Sequence, residues 1–318
     1  MAKLAATFLD MDISRVTPGS GASPVPLWRG RFAPEKRRVG RSLSERGQPG
    51  CGRWVTAWGT PRFANGGAAR QNDDLMKLLD QFVRDGDRLF RWRSHFPLLL
   101  VPVLVAGVMT SPTPFSTRPA ERAWEVVSVA IALAGLALRA WAVGSAPAGT
   151  SERSTTNPRA SELRTSGVYS LVRHPLYVAN GLMALGLALF PGVWYLPIIL
   201  VTTTLLYYER IAAREEAFLL ERFGAAFEVW AGRVRALVPA FANYARSTTT
   251  FSWKKVLRHE FHGLLVVAAG AFVLDAFQES WRARDWHVDE PWVWFFGVSA
   301  ALFVIFAALK RGTRVLEH

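Results

Sequence analysis

Residues 163–177 read LRTSGVYSLVRHPLY. The stretch carries Arg164, Arg173 and His174, is broken by Pro175, and lies between two long apolar segments. A cationic loop held against a bilayer is costly unless it binds something, which marks it as the functional centre. Beyond it, apolar residues 176–190 and 193–208 are joined only by Pro191 and Gly192. So short a connection requires an antiparallel helical hairpin, and Ala179, Gly181, Ala184, Gly186 and Ala188 give its first arm a face that packs closely. The hairpin leads to residues 215–230, EEAFLLERFGAAFEVW. There an acid pair precedes a helix stop at Phe223-Gly224, and Phe227 with Trp230 follows at i, i+3 as a membrane-interface anchor.

Working outward, the apolar residues of the chain come in blocks. Half of the 318 residues are hydrophobic, and the 13 Trp and the Tyr residues gather at block edges. That distribution predicts an all-α, polytopic helical membrane protein rather than a soluble domain. The blocks at 96–109, 124–143, 176–190, 193–208, 261–277 and 292–309 give about six transmembrane helices. Lys and Arg concentrate on the side of the 163–177 loop, whereas residues 278–291 hold four acids against two Arg. The positive-inside rule then places the loop, the acid pair and both termini in the cytoplasm, with a cofactor site facing that side of an inner or plasma membrane.

The net charge of +13 divides into 12 Lys/Arg against 6 Asp/Glu in residues 1–75 and 26 against 19 thereafter. Because the latter cluster beside apolar blocks, anionic lipid headgroups explain them better than nucleic acid does. The single cysteine, Cys51, excludes an internal disulfide and a cysteine metal site. Residues 1–75 have no apolar block and read as a disordered basic tail, with Met76 as an alternative start. Residues 76–245 form a core with four spans, and residues 246–318 add two more.

Arg173 is a permanent cation, His174 can be neutral or charged, and Pro175 prevents an ordinary helical entry and leaves backbone groups free. Taken alone these are equally an interfacial arginine, a helix cap and, at Tyr177, part of an aromatic belt. Glu215 and Glu216 on the same side supply the opposite charge, and the two stretches together suit a zwitterionic ligand.

GVYSLVRHPLY, a hairpin and EExFLxxRFGxxFxxW together resemble the isoprenylcysteine carboxyl methyltransferase and phospholipid methyltransferase superfamily of integral membrane enzymes. The resemblance covers residues 125–240. It implies S-adenosyl-L-methionine as cofactor, contacted by Ser161, Glu162, Leu163, Arg164, Tyr169, Arg173, His174, Pro175, Leu176, Tyr177, Glu215 and Glu216. It also implies an arginine one turn before the acid pair facing the substrate. Arg210 is displaced by one residue from that position, and Arg214 is the other candidate. Phe227 and Trp230 stand where relatives usually carry Tyr, and the two last spans extend beyond where many relatives end.

The activity so implied is methyl transfer to an amphiphilic or lipid-like small molecule at the bilayer. Positioning and exclusion of water would supply most of the acceleration. An ammonium acceptor would further need a base, for which Glu215 or Glu209 is at hand. A sterol-type reductase using NADPH shares an Arg-His-x-x-Tyr loop but usually places Gly and an acid after the Tyr, where this chain has Val178-Ala179-Asn180. A non-catalytic membrane protein is the third reading, opposed by the lack of a central acid in any span. His259 and His262 at i, i+3 lack a third ligand, so no metal site is read there. Arg139, near the end of its span, either snorkels or points into the bundle.

Overall fold

A computed structural model describes residues 101–111, 114–146 and 162–312, together with positions 81, 82, 84–86 and 89. The basic tail, the alternative start at Met76 and the cofactor candidate Ser161 lie outside the described residues. Among those described the chain is helical and holds no strand. The helices are α1 (Val101–Thr110), α2 (Arg118–Gly144), α3 (Pro175–Leu189), α4 (Tyr195–Phe223), α5 (Ala225–Ala231), α6 (Trp253–Ala283) and α7 (Glu290–Gly312), with 3₁₀ turns at Gly167–Ser170 and Phe241–Asn243. Helices α2, α4, α6 and α7 are long and apolar enough to cross a bilayer. The chain is thus a polytopic helical membrane protein. Helices α1 and α3, with 10 and 15 residues, are shorter than a crossing needs, so length alone does not give the expected six.

Several elements are longer than the apolar blocks that announced them. Pro119 stands in the first turn of α2, a position where its missing N–H leaves no hydrogen bond unmade, so this helix starts well before Trp124. Between Tyr208 and Gly224 there is no Gly or Pro, and Glu, Arg, Ala and Leu dominate. The fourth apolar block and the charged segment that follows it are therefore one 29-residue rod. Consequently the acid pair rides on the end of a span. Ser252 accepts from the Lys255 amide at 3.4 Å and starts α6 eight residues ahead of the expected block.

Helix α2 is the centre, with α3 on one side and α6 on the other. The approach of α2 and α3 is set by two glycines. A Cβ on Gly186 would lie 2.4 Å from the Ser128 carbonyl oxygen, and one on Gly135 would lie 2.6 Å from that of Ala179. The small face of α3 thus packs chiefly on α2 rather than on its hairpin partner, whereas Gly181 looks into open space. Val129 and Ala132 of α2, Met183 of α3, Val267 and Leu274 of α6 and Trp292 of α7 close the core.

Arg139 is buried but does not snorkel. Its Nε donates to Glu260 Oε2 at 2.8 Å, Nη2 to Glu260 Oε1 at 3.1 Å, and Nη1 to Asn180 Oδ1. A buried bidentate pair of this kind joins α2, α3 and α6 at one point. The C-terminal helices are therefore tied into the core.

Candidate functional site

The 163–177 loop is built against the chain that follows α5. Gly167 takes φ +63°, a conformation only glycine adopts freely, and turns the backbone so that its amide donates to the Ala245 carbonyl at 2.8 Å. Ser170 Oγ donates to the Gly167 carbonyl and accepts from the Ala245 amide, locking the 3₁₀ turn from both sides. Farther on, the amides of Arg173 and His174 donate to the carbonyls of Arg235 and Ala236 at 2.9 and 3.1 Å. The connector thus holds the loop in place.

This anchoring presents Arg173, His174 and Tyr177 to the end of α4. Arg173 is 3% exposed; its Nη1 donates to the Ala231 carbonyl, and its Nε lies 3.1 Å from Glu216 Oε1, an ion pair whose angle does not make a hydrogen bond. Burial pulls the Arg173 guanidinium below its usual range, and Glu216 opposes that. His174 places Nε2 at 2.9 Å from Glu216 Oε1 and Nδ1 at 3.4 Å from Glu215 Oε2. Burial disfavours its charged form, but hydrogen bonds to Glu215 and Glu216 outweigh this and push its pKa up to about 9. Tyr177 donates to Glu215 Oε1 and stacks on Tyr208, with ring centroids 4.7 Å apart. The two charged stretches singled out in the sequence therefore touch directly.

The two acids are not equivalent. The Glu216 side chain is 14% exposed and engaged by both Arg173 and His174, whereas that of Glu215 is 28% exposed. Glu216 fixes the loop to α4, and Glu215, held by Tyr177 and His174, is the more exposed of the two.

The other expected residues distribute around this junction. Pro175 is the first residue of α3 and has no amide hydrogen, and the Tyr177 amide donates to the His174 carbonyl at 3.1 Å, so Leu176 carries the first-turn amide beside His174 that has no acceptor one turn back. Leu163 and Tyr169 pack with Phe227, Trp230 and Val234, and Arg164 donates to Tyr169 Oη at 3.3 Å. Glu162 is exposed at the start of the loop. Arg210 turns elsewhere: its Nη1 donates to the Leu206 carbonyl at 2.6 Å, and its guanidinium lies over Phe82. Arg214, a turn later, packs its Cβ towards Gly86. Glu209 also lies on α4, two turns before the acid pair.

Phe227 and Trp230 do not face the membrane interface, as the sequence suggested. Both are buried, at 6% and 9% exposure, because Gly224 at φ +51° turns α5 back so that its apolar face covers Leu163 and Tyr169. Trp230 Nε1 is enclosed there with no acceptor among the described residues. Sequence reasoning missed this inward donor, the backbone pairing of the loop with residues 235–245, and Glu260. Of these only Glu260 had a signal, an acid able to answer Arg139, but the expected span began one residue after it.

The fold and this junction define a polytopic membrane protein with a charged site where a loop meets the ends of two helices. Residues 126–226, about a third of the chain, match the family model described as phospholipid methyltransferase. The chain is also similar to the cobalt-zinc-cadmium resistance protein CzcN of Cupriavidus metallidurans, 37% identical over 89 residues. That likeness covers 28% of this chain and 34% of CzcN. No solved structure matches significantly.

Proposed function

We propose that the protein transfers a methyl group from S-adenosyl-L-methionine to an amphiphilic or lipid-like small molecule, with its site on the cytoplasmic face. The bundle is read as six spans, a four-span core over residues 76–245 and two further spans over 246–318. The observation that carries the proposal is the junction of Glu215, His174 and Tyr177 at the start of α3. Its donor set fits a zwitterionic nucleoside sulfonium: a partly exposed carboxylate for an amino group, the Leu176 amide at the start of α3 for a carboxylate, and the Trp230 indole within an apolar cluster for a base.

When bound, this cofactor supplies a methyl group already activated by its positive sulfur. The protein's own contribution is placement. Glu215, oriented by Tyr177, receives the ammonium, while Arg173 and Glu216 hold the loop so that the helix start cannot drift. Leu163, Tyr169, Phe227 and Trp230 exclude water from the adjoining surface. Arg214 is the better candidate for contact with an acidic substrate, since Arg210 is directed towards Leu206. An amine acceptor would have to lose its proton before attack, and with Glu215 engaged by the cofactor's ammonium the acid left for that on α4 is Glu209.

The test is incubation of the purified chain with lipid extract and methyl-labelled S-adenosyl-L-methionine, with products resolved by mass. The reading predicts a labelled amphiphile whose formation is lost in Glu215→Ala. Equal labelling by wild type and Glu215→Ala would overturn it.

A further inference from the structure

At the end of the bundle remote from the loop, α2 begins and α6 ends amid acids. Helix α2 contributes Glu121 and Glu125, α6 contributes Asp275 and Glu279, and the turn into α7 contributes Asp289. Carboxylate oxygens of Glu125, Asp275 and Asp289 lie within 4.8 Å of one another. Three guanidiniums face this group, and each is engaged. Arg118 and Arg282 both bind Glu121 and Glu279, and Arg122 binds Asp289 Oδ2. Arg118 approaches Asp289 Oδ1 at 3.9 Å, and the exposed His287 reaches the same atom at 3.6 Å.

Five carboxylates therefore meet three guanidiniums. Glu125 and Asp275 have no ion-pair partner among the described residues, although they are only 2% and 1% exposed. Two buried carboxylates without a counter-charge are strongly unfavourable, so something must neutralise them.

A second observation points to what that is. Asp275 Oδ2 accepts the Asp289 amide at 2.8 Å, but Asp275 Oδ1 is buried with no donor. Gln278, about one turn farther along α6, donates through Nε2 to Glu121 at 3.2 Å, while its Oε1 is likewise buried without a donor. Glu125 Oε2 accepts from the Trp292 indole at 3.0 Å, which fixes its orientation. Acceptor oxygens in excess of donors, beside unpaired carboxylates, are what a bound cation completes. No local sequence pattern announces this group, because the three acids lie on three different elements.

We propose that Glu125, Asp275 and Asp289 together bind one divalent cation of the oxygen-preferring class, such as Mn²⁺ or Ca²⁺, at the face opposite the loop. With only carboxylates and no His or Cys in the set, the chemistry favours hard ions. The ion bridges the start of α2, the end of α6 and the entry to α7, and so clamps the C-terminal pair of helices to the core. The alternative neutralisation is a proton shared between Glu125 and Asp275.

The experiment uses the full chain in detergent, stripped with chelator, and titrates Mn²⁺ while following the free ion by electron paramagnetic resonance. One saturable equivalent per chain, displaced by Ca²⁺, is the expected result. Thermal stability of the wild type should rise with Mn²⁺. Asp275→Asn should weaken binding at least about tenfold and abolish that rise. Glu125→Gln, which keeps the acceptor for Trp292, gives a second variant if Asp275→Asn does not fold. Absence of saturable binding to the stripped wild type overturns the proposal, as does binding unchanged in both variants. So does a stripped Asp275→Asn protein more stable than a wild type that ignores Mn²⁺, the mark of a shared proton.

Discussion

His174 supplies a prediction whose size can be worked from the structure. Its side chain is 7% exposed, and with Glu215 and Glu216 at 3.4 and 2.9 Å its pKa rises from 6.5 to about 9. At about 1.4 kcal/mol per decade this difference is worth about 3 kcal/mol. The sign follows from proton linkage: the folded chain binds the His174 proton more tightly than the unfolded chain does. The stabilisation is complete below about pH 6.5 and is lost as pH rises through about 9. Thermal unfolding of the cofactor-free protein in detergent should therefore show a melting temperature lower at pH 9 than at pH 6.5 by on the order of 5–10 °C. His174→Gln should be less stable at pH 6.5 and should lose most of this slope. Glu216→Gln should shrink it. A wild-type slope that is flat or positive over pH 6.5–9, or one retained in full by His174→Gln, would refute the reasoning.

Glu260→Ala strands the buried Arg139 guanidinium and should cost about 3–5 kcal/mol, whereas Arg139→Met combined with Glu260→Leu should recover most of it; a thermal double-mutant cycle checks this. Gly186→Leu drives its Cβ against the Ser128 carbonyl and should destabilise by about 3 kcal/mol or more, while Gly181→Leu, facing open space, should stay within about 0.5 kcal/mol in the same melts. Tyr177→Phe removes the donor that orients Glu215 and should weaken S-adenosyl-L-methionine binding up to about tenfold in calorimetry with little change in melting temperature.

The fold class was legible because a bilayer imposes a strong rule: a crossing helix needs about 20 apolar residues, and such blocks are visible without partners. Helix ends were less legible, because hydropathy marks the lipid-facing part only. The continuation of α4 through Glu209 and Glu216 is set instead by helix propensity and the absence of a breaker before Gly224. Arg173, His174, Tyr177 and the acid pair could be singled out because their charges are anomalous beside a membrane, and the structure brings them into contact. What remained hidden depends on long-range placement. No local pattern reveals that Ala245 and Ala236 hold the loop, that Trp230 turns inward, or that Glu125, Asp275 and Asp289 converge. Arg139 was conspicuous as a lone charge, but its identity as half of a pair needed Glu260, 121 residues away.

The central claim, that the junction of Glu215 with His174 and Tyr177 is a seat for S-adenosyl-L-methionine, is tested most directly by ligand-dependent thermal stability of the detergent-solubilised chain. S-adenosyl-L-methionine or its demethylated product should raise the melting temperature of the wild type, leave Glu215→Ala unmoved, and be unmatched by NADPH. Stabilisation by NADPH alone, or an equal rise in wild type and Glu215→Ala, would contradict it.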